Sequence, residues 1–479
     1  MLFNSLAFLI FFPIVILLYF LFPHKYRWLL LLIASVFFYM FFIPYFILIL
    51  VGTILVDYFA GILIEKSKTK SEKRWWLIAS LIANIGCLAV FKYYNFANDN
   101  ISALMQFFGM KNPIPFLSII LPIGLSFHTF QAMSYTIEVY RSNFKAEKHF
   151  GYYALYVLYF PQLVAGPIER PQNVLPQLHQ PVLWNNERII SGFRLVLWGL
   201  FKKVVIADRL SLFVGNAYTL PHESNPSQLL FATYMFAFQI YCDFSGYSDI
   251  AIGSSRILGI NLMKNFNNPY IATSIQDFWR RWHISLSTWF RDYLYIPLGG
   301  SKKGKNKYLL NLLIIFVVSG VWHGANWTYV VWGSLHAIFQ IFTVLLPKRY
   351  SLIKDESKLY YFKKAFYMFL TFQAVCLAWV FFRVDTVSNG MFIINEILFF
   401  VKDIFIHPIT FAGKCYYNIA SIGAISWLLI ISLLIFESKI DISKLSKSSF
   451  GNYAFFIFMI LIISILGKST QEMFIYFQF

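Results

Sequence analysis

Two histidines in this chain stand where acid–base chemistry could be done. His323 sits in Trp322-His323-Gly324-Ala325-Asn326-Trp327, where one apolar run, begun at Tyr308, ends and the next begins. An ionisable side chain inside such a segment is costly to bury and must face protein or a water-filled cavity. With an ordinary pKa of about 6.5, imidazole can take a proton from a hydroxyl and return it to a leaving group at neutral pH. Gly324 allows close backbone approach, and Asn326 is placed to orient the ring or to donate to a developing oxyanion. The alternative is a structural histidine bonded to a neighbouring helix, and His336, in the next apolar segment, reads as one of that kind.

The second histidine lies in SIQDFWRRWHISLSTWFRDYLYIPLGG, residues 274 to 300. At about 100° per residue, Phe278, Trp282, Leu286, Trp289, Tyr293 and Ile296 share one face, with His283 at its edge. Arg280, Arg281 and Arg291 fall on the other face, and their charges would be costly in hydrocarbon. The pattern predicts one helix over 274 to 298 lying in the membrane interface with its apolar face down. Two arginines beside a tryptophan suit an anionic ligand, because guanidinium pairs with phosphate in a fork. A lipid-headgroup anchor without a ligand is the competing reading.

A third cluster, YCDFSGYSDIAIG at 241 to 253, sets Asp243 and Asp249 in an otherwise apolar helix. Their spacing points them to different faces, so they cannot form a close acid pair on one helix. A buried polar network is the first reading and direct proton handling the second.

The elements that position these groups are membrane spans. Of 479 residues, 58% are hydrophobic, 20% aromatic and only 13% charged, with a mean hydropathy of +0.61. Such a chain cannot build an ordinary water-soluble surface. The formal charge of +18 is carried in short runs between apolar segments, at 65 to 74, 301 to 307 and 348 to 364. Cytoplasmic loops look like this, and the placement argues against nucleic acid as a partner. Cys87, Cys242, Cys376 and Cys415 are scattered and show no metal-ligand spacing. The N-terminal MLFNSLAFLIFFPIVILLYFLF lacks a basic leader and a small-residue cleavage site, so it reads as a retained first span.

Apolar stretches of spanning length fall at about 5–22, 27–42, 44–64, 75–94, 116–139, 190–217, 228–258, 308–325, 327–346, 363–382, 420–436 and 453–468. The expectation is an all-α polytopic membrane protein of about eleven to twelve transmembrane helices. The apolar stretch 152–171 is short and broken by Pro161 and Gly166-Pro167. It reads either as a re-entrant half-helix lining a cavity or as a helix that stops at a proline.

Taken together, LPIGLSFHTFQAMSY (121–135), GPIERP (166–171), YCDFSGYSDIAIG, DFWRRWHISLSTWFRDYLYIPLGG and GVWHGANW resemble the membrane-bound O-acyltransferase family. The closest likeness is to the bacterial branch of alginate and peptidoglycan O-acetylation membrane subunits. It runs in order over about residues 1–385, and the helices from 386 to 479 carry no recognised motif. The resemblance implies helices in a ring around a central funnel, with His323 as principal catalytic residue and His283 as the second family histidine. It also implies a cytoplasmic thioester donor, acetyl-CoA, with no resident cofactor or metal. The acceptor would be an exported or cell-wall polysaccharide, reached directly or through an extracytoplasmic acetyltransferase. Alginate-like polymers, peptidoglycan, cellulose and other secreted glycans are all served by proteins of this appearance.

On this reading His323 is general base, Asn326 or nearby backbone stabilises the tetrahedral intermediate, and Arg280, Arg281 and Arg291 steer the polyanionic donor at the cytoplasmic mouth. A D-alanyl transferase fed by a carrier-protein thioester shares both histidine motifs, although IPLGG and WHGANW favour the acetyl branch. A secondary transporter of a cell-surface precursor would show internal repeats with paired broken helices. The Arg280–His283 segment has no counterpart in the N-terminal half. A non-catalytic scaffold would have no use for His323.

Overall fold

Five of the expected apolar stretches form helices long and apolar enough to cross a membrane: Phe46–Lys66, Lys70–Phe107, Lys305–His323, Trp327–Leu345 and Lys358–Arg383. A sixth arises if Pro408–Ile422 and Ala424–Ser438, bent by 83° at their junction, count as one broken span. The structure, a computed structural model, describes residues 1–164, 166–345, 358–439, 449–468 and 474–475, and every regular element among them is helical. The chain is an all-α multi-pass membrane protein. Fewer of its described helices meet the length and apolarity test than the eleven to twelve expected. Part of the basic run 348 to 364 lies outside the described residues; its last residues open the helix Lys358–Arg383.

The shortfall has local causes. The stretch 116–139 is helical only from Leu125 to Tyr140, because Pro113, Pro115 and Pro122 disfavour helix over the residues before it. The freed backbone is held by the helix Tyr94–Phe107: Asn95 donates to the Leu117 carbonyl at 2.8 Å and accepts the Leu117 N–H at 3.1 Å. The stretch 190–217 is interrupted by a π-helical turn, Phe201–Ala207, that carries buried Lys202 and Lys203.

The described residues form two compact units. In the first, made of 1–199 and 247–263, the helices Phe46–Lys66, Lys70–Leu88 and Leu125–Tyr140 pack on one another around buried polar groups. Ser80 Oγ donates to Asp57 at 2.6 Å and Asn84 Nδ2 to both its oxygens at 2.9 Å, while Thr53 Oγ1 meets His128 Nε2 at 2.7 Å. The broken stretch also lies here: the helix Phe150–Leu158 ends at Tyr159, whose ψ of 111° leaves the helix, and the one-turn helix Phe160–Leu163 follows. Its backbone is satisfied by side chains, as membrane depth requires. Ser35 Oγ accepts the Phe160 N–H at 3.1 Å, and Gln131 and Gln162 both donate to the Tyr156 carbonyl. Glu169 accepts from the Met263 N–H at 2.5 Å and from Asn173 at 2.7 Å, and burial pushes its carboxyl above the usual range.

The second unit holds residues 200–246 and those from 264 onward. Its centre is a hairpin of Lys305–His323 and Trp327–Leu345, against which Lys358–Arg383 packs. The hairpin is tight because its crossing is lined by glycine. A Cβ on Gly320 would lie 2.3 Å from the Tyr329 carbonyl oxygen, and one on Gly333 would lie 2.3 Å from that of Phe316. The start of the first helix, the end of the second and the start of the third therefore share the basic side. His323 ends its helix about 27 Å away along the axis, at 1.5 Å per residue.

The single helix expected over 274–298 is corrected. Ile275–Arg281 and Ile284–Phe290 are separate helices, followed by a π-helical turn, Arg291–Tyr295. The break is held by backbone pairing with the preceding segment, Asn267 N–H to Arg281 O and Ile284 N–H to Asn265 O, both 2.9 Å. The Asn265 carboxamide oxygen then accepts from Ser285 Oγ at 2.9 Å and from the Ser285 N–H at 3.3 Å.

Candidate active site

That break places His283. The residue takes the left-handed conformation, φ 42° and ψ 57°, which costs a non-glycine residue about 1–2 kcal/mol. Its ring is fully buried, not at the edge of an interfacial face. The ring packs edge-on to Phe244 at 4.7 Å between centroids and lies 6.3 Å from Trp322. Burial lowers its pKa to about 3, so the imidazole is neutral at physiological pH.

His323, 4% exposed, ends its helix inside an aromatic collar. Trp322, Trp332 and Phe382 stand 4.8, 4.9 and 5.3 Å from its ring, all at steep angles, and Trp332 stacks on Trp379 at 5.9 Å. Trp322 thus lies between the two histidines. Gly324 continues in extended backbone, and a Cβ there would fall 2.0 Å from the Tyr329 ring, so only glycine fits the exit from the helix.

Asn326 is engaged elsewhere. Its Nδ2 donates to the Asp385 carbonyl at 2.8 Å and its Oδ1 accepts the Thr328 N–H at 2.9 Å. It starts the next helix and ties down the loop after Lys358–Arg383, and neither bond reaches His323.

A cavity of about 480 Å³ lies beside the broken helix, lined by Arg280 and Arg291 among others. Both arginines are exposed. Trp279, Ile284, Leu286 and Phe290 form one wall; Tyr308, Leu312, Ile315, Phe316 and Ser319 line it along the Lys305–His323 helix. From Tyr308 to Ser319 it follows that helix for roughly 16 Å at the α-helical rise and stops one turn short of His323. Arg281 does not line it: its Nε pairs with Asp277 at 2.9 Å and its guanidinium also reaches the Asn267 carbonyl. Arg291, which does line it, keeps a pair with Asp292 at 2.8 Å.

Between cavity and His323 stands His336, which reads from the sequence as a structural histidine bonded to a neighbouring helix. His336 is fully buried and accepts the Trp279 indole N–H on Nδ1 at 3.3 Å. Its ring lies 5.0 Å from Trp332, which faces His323.

Asp243 belongs to a buried ion network. Lys203 Nζ stands 2.7 Å from Asp243 and 2.8 Å from Asp208; the second Asp243 oxygen accepts the Ile475 N–H at 2.7 Å. Lys202 pairs with Glu437 at 3.1 Å, and Tyr241 donates to the same carboxylate. Lys202, Lys203 and Asp208, ionisable groups inside an apolar stretch, were the overlooked signal for this network.

Comparison with known proteins fits this architecture. Residues 16–381 match the family described as MBOAT, membrane-bound O-acyltransferase. The chain is 38% identical, over 388 residues, to the Pseudomonas putida protein named probable alginate O-acetylase AlgI, covering 80% of this chain and 78% of that one. It is 36% identical, over 389 residues, to the peptidoglycan O-acetyltransferase of Helicobacter pylori, covering 75% and 72%. The teichoic acid D-alanyltransferase of Bacillus subtilis is more distant, 30% identical over 228 residues, or 45% and 57% of the two chains. A matched span of this extent, on a multi-pass helical chain with a buried histidine at the end of a spanning helix, makes the protein a member of the membrane-bound O-acyltransferase family and an O-acyltransferase.

Proposed function

We propose that the protein transfers acetyl groups from a cytoplasmic thioester, acetyl-CoA, for O-acetylation of an exported or cell-wall polysaccharide in the bacterial plasma membrane. Transfer is direct or through an extracytoplasmic acetyltransferase. The observation that carries this reading is the cavity, which is lined by the exposed Arg280 and Arg291 and stops one turn short of His323. An anionic donor held by Arg280 and Arg291 would lay its uncharged arm along the apolar side chains of the cavity, with the thioester toward Ser319, the lining residue nearest His323 along the helix.

His323 then takes the proton of the attacking hydroxyl as its oxygen bonds to the acetyl carbonyl carbon. The tetrahedral intermediate collapses with cleavage of the C–S bond, and the imidazolium returns the proton to the departing thiolate. With Asn326 occupied, a buried donor packed against the ring is the indole N–H of Trp332, which has no hydrogen-bond partner among the described residues. The names of the acetyl-transferring relatives, at 36–38% identity against 30% for the D-alanyltransferase, support acetyl over D-alanyl.

The test is sidedness in membrane vesicles of known orientation. Acetyl-CoA should support O-acetylation only from the face that carries the 301–307 loop. Equal transfer from either face, or none from any acetyl thioester, would overturn the reading.

A further inference from the structure

Among the polar groups that line the cavity, one is both buried and short of a hydrogen-bond partner. Gln340, on the Trp327–Leu345 helix, lines it and is only 5% exposed, yet its carbonyl Oε1 has no hydrogen-bond partner among the described residues. A buried amide oxygen without a donor is unfavourable and rare in finished structures, so a bound group that supplies the donor accounts for it.

We propose that Gln340 recognises the arm of the thioester donor by accepting a hydrogen bond from an amide N–H, as found in a pantetheine arm. This rests on the donor reading above and names the chemistry of the arm. The cavity is lined by alkyl and aromatic side chains, Leu312, Ile315 and Phe316 on the facing helix among them, together with uncharged hydroxyls such as Ser287, Thr288 and Ser319, and its charges are the guanidinium groups of Arg280 and Arg291. Such a lining takes an uncharged chain carrying isolated N–H donors. A lipid acyl chain has none.

Register supports the same group. Gly333 packs on Gly320, next to Ser319 where the cavity ends. Gln340 lies seven residues beyond Gly333, about 10 Å toward the basic side at the α-helical rise. In a pantetheine thioester the second amide nitrogen is seven bonds from sulfur, about 8–9 Å in an extended chain. A thioester at the Ser319 end therefore puts that N–H at the level of Gln340.

The arm is common to coenzyme A and to a phosphopantetheinylated carrier protein, and binding measurements on the purified full-length protein separate the two. The probes are pantetheine, coenzyme A, a carrier protein with and without its arm, and adenosine 3′,5′-bisphosphate, which has no arm. Gln340→Met, similar in size and apolar, should weaken pantetheine about ten-fold and leave adenosine 3′,5′-bisphosphate unchanged. Gln340→Glu, which keeps an acceptor oxygen, should stay within about three-fold of wild type for pantetheine and controls for folding. The source is whichever full donor, coenzyme A or armed carrier, loses affinity in parallel with pantetheine. If wild type binds coenzyme A or armed carrier and Gln340→Met binds pantetheine equally well, the inference fails and the donor reading stands. If wild type binds none of the armed probes, both fail.

Discussion

The indole N–H of Trp279 points at Nδ1 of His336, 3.3 Å away. Neutral His336 must then carry its hydrogen on Nε2. Trp279 is cavity wall and His336 backs Trp332, so this bond ties the cavity to the collar around His323. His336→Phe keeps the ring but leaves the indole N–H without its acceptor, at a cost of about 1–3 kcal/mol. KM for the donor should rise roughly three- to ten-fold with kcat nearly unchanged, and His336→Gln, which retains an acceptor, should recover part of it. Steady-state kinetics checks this; a fall in kcat at constant KM would place His336 in the chemistry instead.

The arginines divide by position. Arg280→Ala and Arg291→Ala should each weaken donor binding about three- to ten-fold, more at low ionic strength than at high, because both guanidinium groups flank the cavity. Arg281→Ala should leave donor affinity within about two-fold, since its guanidinium is held by Asp277. The loss of that part-exposed pair should cost no more than about 1 kcal/mol of stability. Titration of coenzyme A against the three variants at two salt concentrations decides it.

Burial lowers the pKa of His283 to about 3. Across pH 5–8 it stays neutral, so it cannot produce an acid limb in the pH–rate profile there. A general base must be unprotonated, so an acid limb in that range belongs to a group other than His283. His283→Asn suits the left-handed backbone at φ 42°. The variant should be made at normal abundance with reduced rate and an unmoved acid limb. An acid limb that shifts in this variant would reassign the titrating base.

Lys203→Met would leave the carboxylates of Asp208 and Asp243 buried around a vanished charge. Breaking a buried pair on one side costs about 3–5 kcal/mol, and a thermal unfolding scan in detergent should show a large drop. Adding Asp243→Asn should restore part of it. A Lys203→Met protein as stable as wild type would mean that the network does not hold this unit together.

Much of this was legible in the sequence. The 305–323 and 327–345 spans, the glycine exit after His323 and the broken segment near Pro161 follow from apolar length, Gly and Pro. The 274–298 segment was misread because periodicity sees only faces. The 3.6-residue pattern continues across Trp282-His283, while the break is enforced by Asn265 and Asn267, which are distant from the pattern. The bond from Asn326 to the Asp385 carbonyl was hidden for a related reason: sequence shows that Asn326 is near His323 but not which carbonyl it meets in space. His336 reads from the sequence as a histidine bonded to a neighbouring helix, but its partner Trp279 shows only in space, and Gln340 gave no signal above an amphipathic helix because its meaning comes from the cavity.

The most direct test of the account is His323→Gln. Glutamine keeps a hydrogen-bonding side chain of similar reach inside the aromatic collar but cannot take the hydroxyl proton. Loss of a general base costs about 10²- to 10⁴-fold in rate, roughly 3–5 kcal/mol of barrier. Acetyl transfer to the polysaccharide, followed in membranes containing equal amounts of each protein, should fall by at least about a hundred-fold while coenzyme A affinity stays within about two-fold. A folded His323→Gln protein that transfers acetyl groups at near wild-type rate would contradict the assignment of His323 as the base.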